Sequence, residues 1–95
     1  MAQRRIVWSM TAKKDLAEIL KFYNFRNKSK IYSQKLNRKI QTQINLLLLQ
    51  PEIGKMSNRI NVRALLIEDY YFFYKLIENY IIIISVSNAK QDTAD

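Results

Sequence analysis

The chain of 95 residues contains no histidine and no cysteine, and only one glycine and one proline. Without cysteine there is no disulfide framework, no thiolate nucleophile and no Cys-ligated metal. Without histidine the commonest general base and the commonest zinc ligand are missing, and a Ser-His-Asp triad is excluded. Any catalysis falls to Arg, Lys, Tyr, Asp or Glu, and neither a metal nor another cofactor is indicated. Long apolar runs are missing as well. Leu46–Leu49 and Ile81–Ile84 fall far short of the roughly 18 residues of a bilayer span. Met1-Ala2-Gln3-Arg4-Arg5 leads into no apolar signal core. A cytoplasmic protein without membrane contact is the simple expectation.

Acid is scarce in the first half. The chain has 16 Lys+Arg against 8 Asp+Glu, a formal charge of +8. Residues 1–50 carry +9, with Asp15 and Glu18 as their only acids, and residues 51–95 carry −1. Such a basic half suits a polyanion or an acidic protein partner. The bland alternative is a lysine-rich, solvated helix surface. The length allows one small domain over residues 1–95 with a single core, and residues 92–95 read as a frayed polar tail.

Arg4 to Ser9 is a short β-prone run ending in a good helix N-cap, Ser9. Ala12, Leu16, Ile19, Leu20 and Tyr23 then fall on one helical face. Asn24 to Ser29 interrupts the period and offers Asn27 or Ser29 as the next cap. A second stripe follows with Tyr32, Leu36, Ile40, Ile44, Leu47 and Leu48. It must stop near Gln50, because Pro51 disfavours helical geometry before it. Two such helices pack as an antiparallel hairpin.

Beyond the Pro51–Lys55 loop the pattern predicts strands over Asn61–Ile67, Tyr70–Ile77 and Tyr80–Val86. The polar pairs Glu68-Asp69 and Glu78-Asn79 close tight hairpins, with Asn79 suited to a positive φ. With Ile6–Trp8 joining the sheet, the order is β-α-α-β-β-β. This is an α+β fold: a four-stranded antiparallel sheet with the helix hairpin on one face. Tyr70, Phe72, Tyr74 and Leu76 point one way, and Tyr71, Phe73, Lys75 and Ile77 the other. In Ile81–Val86 aliphatics fill both faces. Two helices cannot cover both sides, so an apolar face remains for a partner, with Tyr70, Tyr71, Phe73, Ile81 and Ile83 as candidates.

Val7-Trp8-Ser9, Ala12 and Asp15-Leu16 resemble the opening of the RelE/ParE superfamily of bacterial toxins. Tyr32-Ser33-Gln34-Lys35-Leu36 with Ile40 and Ile44 continues the likeness, as does Leu47-Leu48 followed by Pro51-Glu52-Ile53-Gly54. Asn61-Val62-Arg63, Asp69-Tyr70 and Phe73-Tyr74 resemble its strand signature. The likeness runs from about residue 6 to 91. It implies the toxin half of a type II toxin–antitoxin pair, of the kind linked to plasmid stabilisation and growth inhibition. The implied partners are a cognate antitoxin and either DNA gyrase or the ribosome with its mRNA; a homodimer also stays open.

RelE-like members cleave mRNA, and ParE-like members poison gyrase. Metal-free RNA cleavage needs a base, an acid and positive charge on the phosphorane. Arg63 resembles the arginine that RelE-like ribonucleases place after the Pro-Gly loop, and its competing use is an internal pair with Glu68 or Asp69. Many relatives end their last strand with Asp-x-Arg-Gln, and here it reads Asn88-Ala89-Lys90-Gln91. Lysine keeps the charge but loses bidentate phosphate geometry. Lys55, Arg59, Arg63, Lys90 and Gln91 are therefore the candidate phosphate or target contacts. Arg63 and Lys90 would be catalytic if the chain cleaves RNA. The missing histidine and terminal tyrosine favour a ParE-like toxin that acts by binding, with a ribosome-dependent nuclease or a non-toxic antitoxin-binding relic as the alternatives.

Overall fold

The computed structural model describes residues 3–90. The first strand, β1 (Arg5–Trp8), ends at Ser9, whose extended backbone and hydroxyl cap helix α1 (Met10–Asn27). The Ser9 hydroxyl accepts from the Ala12 N–H at 3.0 Å, satisfying one of the donors a helix start leaves free. Helix α1 ends at Lys28, which takes a left-handed φ of 53° and donates its N–H back to Asn24 and Phe25. Helix α2 (Ile31–Asn45) follows, with Lys30 at its N-cap position and no side-chain cap there. Of the two caps expected, Ser29 contributes nearby, accepting from the Ile31 N–H at 3.1 Å. A 3₁₀ turn over Leu46–Leu48 finishes the helix before Pro51.

Four further strands build the sheet: β2 (Lys55–Met56), β3 (Arg63–Ile67), β4 (Tyr70–Ile77) and β5 (Tyr80–Asn88). Their order is β1-β5-β4-β3-β2. The sheet is thus five-stranded and mixed, not four-stranded and antiparallel. β1 runs parallel to β5, because the helix hairpin returns the chain to the end of the sheet from which it left. β2 is the added strand, two residues paired with Ala64 and Arg63. The two-residue turns fall where expected, but the positive φ belongs to Glu68 and Glu78, not to Asn79.

The core lies between the helices and one sheet face. Leu36, Ile40, Ile44 and Leu47 of the second stripe meet Tyr70, Phe72, Tyr74, Ile81 and Ile83. Each fully buried residue of this size contributes roughly 1.5–3 kcal/mol of transfer free energy. Trp8 meets Phe72 edge to face at 6.2 Å.

One irregularity sets the face of every residue in β5. Phe73 pairs with Ser85 but Tyr74 pairs with Ile83, so Ile84 is an extra residue. A bulge of this kind reverses the alternation. Ile81 and Ile83 point inward on one side of it, and Val86 points inward on the other. The apparent two-faced aliphatic pattern of β5 is this parity switch. Helix α1 holds the bulge: Ser9 donates its hydroxyl to the Ile84 carbonyl at 2.7 Å. The Asp15 carboxylate accepts from the Val86 N–H at 2.9 Å.

Candidate binding face of the sheet

Arg63 and Tyr74 are cross-strand neighbours on the inner face, at the end covered by the Pro51–Gly54 loop. Arg63 donates from Nη1 to the carbonyls of Gly54, at 2.8 Å, and Glu52, at 3.1 Å. The Tyr74 hydroxyl donates to the Pro51 carbonyl at 2.8 Å and accepts from the Gly54 N–H at 2.9 Å. Glycine is required here by close approach. A Cβ on Gly54 would sit 2.7 Å from the Tyr74 ring and 3.0 Å from the Ala64 carbonyl. Burial pushes the Tyr74 hydroxyl above its ordinary pKa, opposed by the Gly54 N–H and the Arg63 guanidinium. Arg63 is therefore a loop clamp, and the acids proposed to pair with it are otherwise engaged. Glu68 meets Lys39 at 2.5 Å, and Asp69 meets Lys90 at 3.7 Å.

Arg63 and Lys90 are not brought together. β3 runs from Arg63 to Ile67, whose row continues through Tyr70 to Asn88. Four residues of strand separate those rows by roughly 13 Å, and Lys90 lies two residues beyond Asn88. Its ammonium is exposed beside the β3–β4 turn. The two cations sit at opposite ends of the sheet, not around one phosphate. Gln91 lies outside the described residues, as does the expected tail at 92–95.

The outer face carries a different group. Lys55, Ala64, Phe73 and Ser85 form one cross-strand row, and Leu66, Tyr71 and Ser87 the next. The Arg59 guanidinium stands 5.1 Å from the Phe73 ring centroid, a cation–π contact. The Tyr71 ring is 6.1 Å from Phe73, and Leu66 is 54% exposed. Lys55, Arg59, Tyr71 and Phe73 thus share one surface, with both helices on the opposite side.

Three of the expected surface residues are corrected. Tyr70, Ile81 and Ile83 are buried under the helices. Tyr70 is on the inner parity of β4, and the bulge turns Ile81 and Ile83 inward. The Tyr70 hydroxyl lies 3.1 Å from that of Tyr23, and burial with this neighbour pushes its pKa up. Sequence reading missed Asp15 and Tyr74 as anchors of the backbone. The parity break in Ile81–Val86 was the available signal for the first. No local pattern marked the second.

The sequence profile of the ParE toxin of the type II toxin–antitoxin system parDE matches residues 6–93. The chain belongs to the ParE toxin family. It is a RelE/ParE superfamily toxin of a type II toxin–antitoxin system. No curated protein matches its sequence. Among solved structures, the chromosomal ParDE toxin–antitoxin system from P. aeruginosa superposes with a TM-score of 0.79 at 20% identity, over 90% of this chain and 96% of that one. The RelBE2 toxin–antitoxin complex from Mycobacterium tuberculosis gives 0.60 at 14% identity, over 92% and 99%. The E. coli DinJ-YafQ complex gives 0.59 at 14%, over 98% and 100%. These likenesses are of fold. No helix of the described residues is long and apolar enough to cross a membrane.

Proposed function

We propose that this ParE-family toxin arrests growth by binding DNA gyrase, without cleaving RNA, and that a cognate antitoxin neutralises it. The observation that carries this reading is the placement of the two candidate catalytic cations. Arg63 spends donors on the Pro51–Gly54 loop, and Lys90 stands at the far end of the sheet beside Asp69. Phosphorane stabilisation needs preorganised donors converging on one point. A toxin that acts by binding has no such requirement. The outer face, with Tyr71, Phe73, Leu66, Lys55 and Arg59, is the proposed partner surface. Its half-buried Tyr71 and Phe73 and exposed Leu66, rimmed by the exposed cations Lys55 and Arg59, suit an acidic protein segment.

Induced expression in cells tests the reading at the level of DNA. Plasmid from arrested cells becomes relaxed or cleaved, and co-expression of the antitoxin restores growth and supercoiling. Arrest with unchanged plasmid topology excludes gyrase.

A second reading, ribosome-dependent mRNA cleavage, draws on the same outer face. Aromatic rings with Lys and Arg beside them also suit stacked bases. It requires codon-phased cuts in toeprints of translating ribosomes. Expression without arrest would leave only a non-toxic antitoxin-binding relic.

A further inference from the structure

Helix α2 presents one long polar face to solvent. Ser33, Leu36, Ile40 and Ile44 are its buried residues, so a period of 3.6 turns Gln34, Lys35, Arg38, Thr42 and Asn45 outward. All five are exposed. Ile31 and Leu46 bound this face, and no apolar or aromatic side chain interrupts it between them. Tyr32, at its start, is turned aside against Tyr23, with ring centroids 4.9 Å apart. Lys28 and Lys30, in the link from α1, continue the cations past the helix start, and both are exposed.

From Ile19 to Pro51 the chain has Lys and Arg but no Asp or Glu. Among the described residues the ion pairs are Lys39–Glu68 and Lys90–Asp69. Lys28, Lys30, Lys35 and Arg38 are thus left to a partner. Lys35, Arg38, Lys39, Thr42 and Gln43 line a shallow recess of about 330 Å³, with donors on its walls and room for a phosphodiester group. Cations mixed with hydroxyl and amide groups are the set that contacts phosphate and sugar. Three other polymers fit this face less well. An acidic protein needs an apolar interface centre, which the outer sheet face has and α2 lacks. Single-stranded nucleic acid needs aromatic platforms for its bases. Duplex RNA has a major groove too deep and narrow for a helix to read, whereas that of B-DNA admits one.

We infer that the outward face of α2 binds the backbone of duplex DNA directly, without regard to base sequence. Lys28, Lys30, Lys35 and Arg38 each meet a phosphate, and Gln34, Thr42 and Asn45 donate beside them. Such binding goes beyond the gyrase reading and does not require it. The helices then engage DNA while the outer sheet face stays free for a protein.

Fluorescence anisotropy of a labelled short duplex DNA, titrated with the full chain over a range of salt, tests this. Duplex RNA of the same sequence and polyglutamate serve as competitors. Four phosphate contacts predict a log–log salt slope of about −3.6. Lys35→Gln and Arg38→Gln should each make the slope shallower by about 1. Arg38→Lys keeps the charge and should keep the slope. Lys13→Gln and Lys14→Gln, at exposed positions of α1 away from this face, should also leave it unchanged. Every substituted side chain is exposed, so the thermal midpoints should match that of the unaltered chain. RNA and polyglutamate should each need roughly tenfold more than unlabelled DNA to displace the probe. No binding, an unchanged slope in Lys35→Gln and Arg38→Gln, or an equal loss of slope in the α1 variants overturns the inference. Displacement by RNA or polyglutamate as effective as by DNA also overturns it, and reassigns the face to RNA or to an acidic protein. The assay contains no gyrase, so its failure leaves the gyrase reading standing.

Discussion

Lys28 and Glu78 each hold a left-handed backbone, with φ of 53° and 54°, that costs a residue with a Cβ roughly 1–2 kcal/mol. Glycine avoids that strain but loses more entropy on folding. Lys28→Gly should therefore raise stability by about 0.5–1 kcal/mol, read from urea unfolding. Tyr74→Phe should act in the opposite direction. It leaves the buried Gly54 N–H and the Pro51 carbonyl without their partner, at a cost of about 1–3 kcal/mol. Arg63 is visible in the sequence as a cation within an apolar strand, where a charge needs a reason. Its reason was not legible there, since its acceptors are backbone carbonyls, which every residue carries and no side-chain pattern marks.

Among the elements, the bulged β5 depends on α1. Asp15→Ala removes the acceptor of the Val86 N–H and should cost about 1–3 kcal/mol. Asp15→Asn retains a carbonyl acceptor and should recover most of that loss, again by urea unfolding. Equal losses in both variants would mean that the bulge does not rely on this bond. Helix periodicity and the Ser9 cap were readable because each follows from local spacing and local chemistry. The strand breaks at Glu68-Asp69 and Glu78-Asn79 were readable for the same reason. The inward turn of Ile81 and Ile83 was not, because one extra residue inverts a period of two. Strand β2 was missed because two residues cannot display an alternation.

For the molecule as a whole, the parallel β1–β5 pairing and the five-strand order are matters of chain return that local pattern does not encode. The class and the helix-covered face were legible, since two amphipathic stripes and a run of strands admit few packings. Alkaline titration tests the packed core globally. Tyr70 and Tyr74 have folded pKa values above the ordinary 10.0, so the unfolded chain releases these protons first as the pH rises. Their contribution is fully present below pH 10 and is lost above it. The thermal midpoint should change little up to pH 10 on their account and then fall, with a shallower fall in Tyr70→Phe. A fall of equal steepness in that variant would remove Tyr70 from the explanation.

The +9 of the first half lies on exposed strand and helix surface, as at Lys13, Lys14, Lys21, Arg26, Lys35 and Arg38. It is separate from the outer sheet face, so the molecule presents two distinct basic surfaces. Supercoiling of relaxed plasmid by purified gyrase, with this toxin titrated in, bears most directly on the central proposal. Supercoiling should fall, with relaxed or cleaved plasmid accumulating as toxin reaches saturation. Unchanged supercoiling at saturating toxin would contradict it.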